Sequence, residues 1–229
     1  MAALDSHEQE QVEALKAWWQ ANGTQTVIAI ALAVVVGLAV FGWKQWHIRQ
    51  NAKAAVLFSE VIKQLGSNDP KRVDDAAAIL ADKYGSTIFA ARAQLLAAAV
   101  NTQANNSAAA ARELHWVIEN SSDDTLQHAA RLQLAAQLLD EKKYDDALKL
   151  LEAAHPEAFD SLYLNLKGDV YAAQGKADAA RTAYKGALEK AQSKGRYVTA
   201  IQLKLEALGG GQEAAAASAV PASAAGAAK

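Results

Sequence analysis

Hydrophobic and polar positions divide the chain into two parts with different patterns. Residues 21–43 contain no ionisable side chain, and the stretch from Val27 to Trp43 is almost entirely aliphatic. Roughly 20 apolar residues at 1.5 Å each match the hydrocarbon core of a bilayer, about 30 Å thick. The pattern therefore predicts a single transmembrane helix over residues 24–43, preceded by a short segment at 1–23.

A cleaved secretory signal and a buried core helix are the alternatives for this run. A signal has a basic first region and small residues at its cleavage site. Here four acidic side chains and one lysine precede the run, which ends in the bulky sequence Trp43-Lys44-Gln45-Trp46. A core helix stays open, but apolar runs this long are typical of membrane spans.

Tryptophans bracket the span on both sides. Trp18 and Trp19 precede it, and Trp43 and Trp46 follow it. Indole rings favour the headgroup level of a bilayer because they are amphipathic. We therefore predict these four side chains to be membrane-interface residues.

The segment before the span has its own amphipathic pattern. Val12, Leu15 and Trp19 share one helical face. This pattern predicts a short helix lying at the membrane surface, with a role in anchoring or in partner contact. Asn22 and Gly23 favour a turn that directs the chain into the bilayer.

Beyond the span, apolar residues recur at helical spacing, separated by short loop signals. A first stripe continues the membrane helix outward to Leu65, before Gly66 and Pro70 stop it. Further helices are predicted at 71–84, 87–102, 107–119, 125–141, 144–154, 160–174, 176–191 and 194–208. The predicted fold is all-α, and residues 209–229 have too few large apolar side chains to order, so we predict a disordered tail.

An internal repeat makes this helical domain specific. Small and aromatic residues recur with the spacing of a tetratricopeptide repeat; they are Gly168, Tyr171, Gly175, Ala180, Tyr184 and Ala187. In this interpretation Gly168 and Ala180 let two antiparallel helices approach closely, Tyr171 and Tyr184 fill the remaining space, and Gly175 occupies the turn.

The same frame recurs earlier in the chain. It falls on Leu134, Ala135, Leu138, Tyr144, Ala147, Leu151 and Ala154, and more faintly on Ala97, Ala98, Ala110, Leu114 and Val117. Stacked units of this kind bury a continuous core and present a concave surface to partners. We therefore predict a tetratricopeptide-like α-solenoid of antiparallel helix pairs over residues 44–208.

Composition and motifs argue against catalysis. The formal net charge is −2 and there is no cysteine, so neither a nucleic-acid surface nor thiol chemistry is expected. The five histidines lack paired metal-ligand spacing, and adjacent aspartates do not face each other on a helix. We predict no metal, no cofactor and no enzyme; a peptidase would need a nucleophile and base at recognisable spacing.

The N-terminal segment, the span ending Gly42-Trp43-Lys44-Gln45-Trp46 and the sequence Leu166-Lys167-Gly168-Asp169 together resemble a known family. It is the ancillary SecYEG translocon subunit family, the YfgM-like bacterial inner-membrane proteins, and the resemblance covers about residues 7–208. It implies a cytoplasmic N-terminus, one span and a periplasmic tetratricopeptide-like domain. Its implied partners are the SecYEG channel, the periplasmic chaperone PpiD and emerging polypeptides, with no catalytic residues.

Proximity to the repeat suggests four partner-contact residues: Tyr163, Tyr171, Gln174 and Arg196.

The charges beside the span favour the opposite orientation. Lys16 precedes the span, whereas four cations follow it within about 20 residues, and positive flanks usually stay in the cytoplasm. Domains longer than about 60 residues translocate largely regardless of such charges. Two functions therefore stay open: a translocon scaffold with a periplasmic domain, or a cytoplasmic membrane-tethered module that binds a regulator or assembly factor.

Overall fold

The computed structural model describes residues 6–67, 69–191 and 196–209, without the side chains of residues 6–9 and 196. These residues form nine α-helices and one short 3₁₀ helix, with no β-strand among them, which confirms the predicted all-α fold. The helices are α1 (Ser6–Leu65), α2 (Pro70–Tyr84), α3 (Ile88–Gln103), α4 (Ser107–Asn120), α5 (Asp124–Asp140), α6 (Tyr144–Leu151), α7 (Asp160–Ala173), α8 (Ala177–Glu189) and α9 (Arg196–Ala207). The chain divides into two compact units, Met1–Lys53 and Ala54–Lys229. The predicted tail from residue 210 lies outside the described residues.

Within the first unit, α1 runs without interruption through Asn22 and Gly23, so the predicted turn at these residues is wrong. The Asn22 amide donates to the Trp18 carbonyl oxygen at 3.2 Å, and the Thr26 hydroxyl donates to the Asn22 carbonyl oxygen at 2.9 Å. Gly23 packs on the Trp19 indole, where an added Cβ would lie 3.3 Å from the ring. The polar groups are thus satisfied inside the helix, which apolar surroundings require.

The apolar part of α1 has the length and composition of a membrane span. Its mean hydropathy reaches 2.5, and none of that window is buried. The core helix of a soluble domain is covered by its neighbours, so the exposure of this window argues against the core-helix alternative. The exact span, 24–43, stays a prediction.

In the second unit, successive helices pack in chain order. The end of α1 contributes Ala54 and Val61 to a core shared with Val73 and Leu80 of α2 and with the alanines of α3. The observed bounds of α2 to α8 agree with the predicted ones within two residues, except that α6 ends three residues early, at Leu151. Pro156 disfavours helical backbone at the residue before it, which limits how far α6 could continue.

Three helix-to-helix turns share one backbone geometry. Asn105, Lys142 and Gly175 have φ of 57°, 60° and 74°. In each turn the N–H of the next residue donates to the carbonyl oxygen five positions back, at 2.8, 2.8 and 2.9 Å. This is the Schellman arrangement that ends a helix. The pairs α3–α4, α5–α6 and α7–α8 therefore repeat one local structure, including the pair with the faintest sequence frame.

A close helix contact joins α7 to α8. A Cβ added to Gly168 would lie 2.4 Å from the ring of Tyr184, which is 2% exposed. Burial raises the pKa of Tyr184, so its hydroxyl stays protonated and donates to Asp169 Oδ1 at 2.7 Å. Lys204 of α9 donates to Asp169 Oδ2 at 2.8 Å. Gly168 and Asp169 of α7 therefore contact both α8 and α9.

A second connection is polar and links α2, α3 and α4. The fully buried Asn101 amide nitrogen lies 2.6 Å from Asp74 Oδ1 and 3.1 Å from Glu113 Oε2. Its side-chain oxygen accepts from the Asn106 amide at 3.1 Å. Burial, reinforced by the nearby Asp74 charge, raises the pKa of Glu113 to about 7. Asp74 lies past the first turn of α2, and its carboxylate serves a contact between helices.

We predict that Gly168→Ala destabilises the domain by about 2–3 kcal/mol, near the upper end of the usual cost of overpacking. The Tyr184 ring cannot swing aside without breaking its hydrogen bond to Asp169. Thermal unfolding of the detergent-solubilised chain, followed by circular dichroism, measures the change. Gly186→Ala is the matched control, since its Cβ would meet only a flexible Leu164 methyl at 3.3 Å. Equal losses in the two variants would contradict the prediction.

We predict that Glu113→Gln stabilises the chain at pH 8 and changes little at pH 5. The folded-state pKa lies above the ordinary value of 4.5, so the folded state binds the proton more tightly than the unfolded state. The free energy of unfolding therefore falls as pH rises from about 4.5 to about 7. Denaturant unfolding at several pH values measures this slope. The exposed Glu119→Gln on the same helix is the control; parallel profiles for Glu113→Gln and the unsubstituted chain would refute the interpretation.

Candidate binding surfaces

Tyr163, predicted to contact a partner, is a core residue instead. Its side chain is 1% exposed, and its hydroxyl lies 2.9 Å from Nδ1 of His128. The His155 ring stacks on the Tyr163 ring with centroids 3.9 Å apart. Burial lowers the pKa of His128 and raises that of Tyr163, so this pair is a neutral hydrogen bond. The ring joins α5, α7 and the segment after α6, which leaves no face for a partner.

The other three predicted partner contacts do not form one site with it. Tyr171 is half-buried and packs against the core of α8 and α9, a different cluster from that of Tyr163. Gln174 follows the last residue of α7, and its buried side-chain oxygen has no hydrogen-bond partner among the described residues. Arg196 begins α9, and its side chain lies outside the described residues. The roles of Tyr171, Gln174 and Arg196 in partner binding stay predictions.

Most of the predicted repeat-packing residues lie inside the helix pairs, and Gly175 lies in the turn. Ala135 and Ala147 belong to the core of α5 to α7, with Tyr144 packed against it. Ala180, Tyr184 and Ala187 belong to the core of α7 to α9. These residues hold the helices together and thereby position the surface of the domain.

A groove between α4 and α6, also lined by α5, is the larger of two neighbouring depressions on the repeat domain. We call it the α4–α6 groove, and its volume is about 770 Å³. Its apolar lining residues are Ala108, Ala111, Leu134, Leu138, Leu150 and Ala153. Its charged or polar lining residues include His115, Glu141, Lys143, Asp146 and Lys149. An apolar groove bordered by charged side chains is typical of a surface that binds apolar side chains of a partner.

A second groove lies between α3 and α5, and we call it the α3–α5 groove. Its volume is about 470 Å³, and its lining is more polar, including Thr102, Gln103 and Gln133. Gln137 lies between the two grooves and lines both. Its amide donates to the Ser107 carbonyl oxygen at 2.7 Å and to Glu141 Oε1 at 3.0 Å. Gln137 thereby holds the end of α5 against the start of α4.

Sequence reasoning missed the groove residues, although α4 carries a signal for them. Ala108, Ala111 and His115 follow one another at spacings of three and four, on a different stripe from the buried Ala110, Leu114 and Val117. A helix with two small or apolar stripes has more apolar surface than one neighbour covers. The second stripe lines the α4–α6 groove, where no neighbouring helix among the described residues covers it.

The four predicted interface tryptophans are all exposed on α1, with fractions of 49%, 51%, 65% and 51% in chain order. Trp18 and Trp19 lie side by side, with ring centroids 6.4 Å apart. Their membrane-interface role stays a prediction. Across the described ranges, no group of three or more His, Asp or Glu side chains is arranged to hold a metal ion.

Known proteins resemble this chain along most of its length. A tetratricopeptide repeat-like domain family matches residues 16–210. A Neisseria gonorrhoeae protein named ancillary SecYEG translocon subunit is 32% identical over 90% of this chain and 99% of its own. Proteins of the same name from Haemophilus influenzae and Escherichia coli are 26% and 27% identical, over 89% and 80% of this chain and 98% and 88% of theirs.

The family match follows the same helices that the structure pairs, from within α1 to the end of α9. Within the matched residues, the structure has three turns of one geometry and helix contacts made largely through alanine. By its repeat domain and by its relatives, this chain belongs to the family of ancillary SecYEG translocon subunits.

Proposed function

We propose that this chain is a non-enzymatic, membrane-anchored scaffold of the SecYEG protein-translocation machinery. The names of its relatives support a role at the translocon. The observation that carries the binding role is the α4–α6 groove, with its apolar lining and a volume of about 770 Å³. A groove of this kind suits apolar segments of a protein partner, such as the chaperone PpiD or an emerging polypeptide.

An accessory role fits the family better than a catalytic one. A tetratricopeptide repeat-like domain is a stack of helix pairs that serves as a binding surface. The strongly shifted titratable groups described above, Glu113 and Tyr184, are engaged in contacts between helices. Their shifts follow from packing, which also perturbs pKa values without catalysis.

The proposed topology places residues 1–23 in the cytoplasm and the repeat domain in the periplasm. The relatives named translocon subunits and the single candidate span in the described residues support an inner-membrane protein. The cations after the span favour the alternative, a cytoplasmic module that binds a regulator or assembly factor. Orientation therefore separates the two functions.

We predict that Ala108→Arg reduces recovery of PpiD and of exported polypeptides with the chain several-fold. Ala108 is exposed at the groove, so the longer, charged side chain fills the opening without disturbing the core. Affinity purification of the full chain after gentle crosslinking, with quantitative mass spectrometry, measures recovery.

Ala78→Arg is the matched control, an exposed alanine on α2. We expect it to recover the same partners as the unsubstituted chain. Unchanged recovery with Ala108→Arg would remove the groove from the proposal. An unsubstituted chain that recovers no channel subunits would remove the translocon role itself.

We predict that a cysteine at Ser122 is labelled by a membrane-impermeant maleimide in intact cells, whereas one at Glu10 is labelled only after lysis. Both positions are exposed, and the chain has no cysteine of its own. Each variant therefore has one thiol, and the pair reports the two sides of the span. The reverse pattern would place the domain in the cytoplasm and favour the regulator-binding module.

A further inference from the structure

The helix that follows the apolar run carries cations without neighbouring acids. Lys44, Arg49 and Lys53 are all exposed on α1. No Asp or Glu occurs between Glu13 and Glu60, so these cations have no acidic side chain within reach along their own helix. Their charge is available to an anion outside the protein.

Aromatic rings accompany these cations. The His47 ring lies edge-on to the Trp43 indole, with centroids 4.5 Å apart at 72°, and to the Trp46 indole, at 5.0 Å and 85°. Both indoles remain at least half exposed. His47 thus contacts both indoles, and the three rings form an amphipathic cluster at the end of the apolar run, where the headgroup layer of a bilayer begins.

Helical geometry brings the cations to the same layer. Trp46, Arg49 and Lys53 are separated by three and four residues, so they share one face of α1. Side chains on a helix tilt toward its N-terminus, which here points back to the apolar run. Arg49 and Lys53 lie roughly 9 and 15 Å beyond Trp43 at 1.5 Å per residue. The Arg49 side chain therefore reaches the headgroup layer, about 5–8 Å thick on each side of the bilayer core, and the Lys53 ammonium lies within a Debye length of it.

We infer that this basic aromatic face, formed by Trp46, Arg49 and Lys53 with Lys44 beside it, binds the headgroups of anionic phospholipids. A cationic row without acids is complementary to the negative headgroup, and each Lys or Arg near such a surface adds to binding. The adjoining apolar run holds the acyl chains next to the same helix. The inference rests on α1 spanning the membrane, and it holds for either orientation of the domain.

Native mass spectrometry of the delipidated full chain in neutral detergent tests the inference. The chain is titrated with phosphatidylglycerol or with phosphatidylcholine of the same acyl chains. We expect phosphatidylglycerol to bind at least tenfold more tightly at low salt. The double variant Arg49→Gln and Lys53→Gln should reduce that preference by about tenfold or more, because each cation contributes about fivefold.

The double variant Lys63→Gln and Lys83→Gln is the matched control. It removes the same charge from exposed positions elsewhere, and it should keep the preference for phosphatidylglycerol. The inference is overturned if the unsubstituted chain shows no preference, if both double variants lose it equally, or if equimolar inorganic phosphate displaces the lipid. Channel and chaperone are absent from this experiment, so its result is independent of the proposed translocon role.

Discussion

Close approach of helix backbones across small side chains is the constraint on which the repeat domain depends. More than half of the buried apolar side chains among the described residues are alanine. Alanine side chains let helices approach closely but fill little volume. Each of the few large buried side chains therefore fills space that no neighbouring side chain fills. The Tyr184 ring packed against Gly168 is one example, and the neighbouring Asp169 binds both Tyr184 and Lys204 of α9.

The short α6 shows how the packing of the core affects the surface of the domain. The helix has 8 residues, whereas α4 and α8 have 14 and 13. The chain after α6 places His155 on the face of Tyr163, and that ring reaches His128 of α5. The α4–α6 groove lies beside this short helix. The early end of α6 thus both places His155 in the core and lies next to a groove on the domain surface.

Polar side chains in the core connect helices through hydrogen bonds. Asn101 joins α2, α3 and α4 through two carboxylates and a second asparagine. The cost of burying Glu113 appears as its raised pKa. Buried polar groups of this kind are tolerated because they are hydrogen-bonded, and they favour one helix arrangement over others. A scaffold that presents grooves to partners needs its helices in one arrangement.

The sequence by itself determined the helices, the candidate span, the repeat frame and the family resemblance, because apolar periodicity, capping residues and turn residues act over a few neighbouring positions. Asp123, for example, accepts from the N–H of Thr125 at 2.9 Å and marks the start of α5 locally. Tertiary structure decided which faces are covered. Only packing could show that Tyr163 points inward, that Glu113 is buried, and that the second stripe of α4 stays open, since each depends on residues distant in sequence. Asn22 and Gly23 continue a helix for a related reason: turn propensity is weak, and contacts one helical turn away outweigh it.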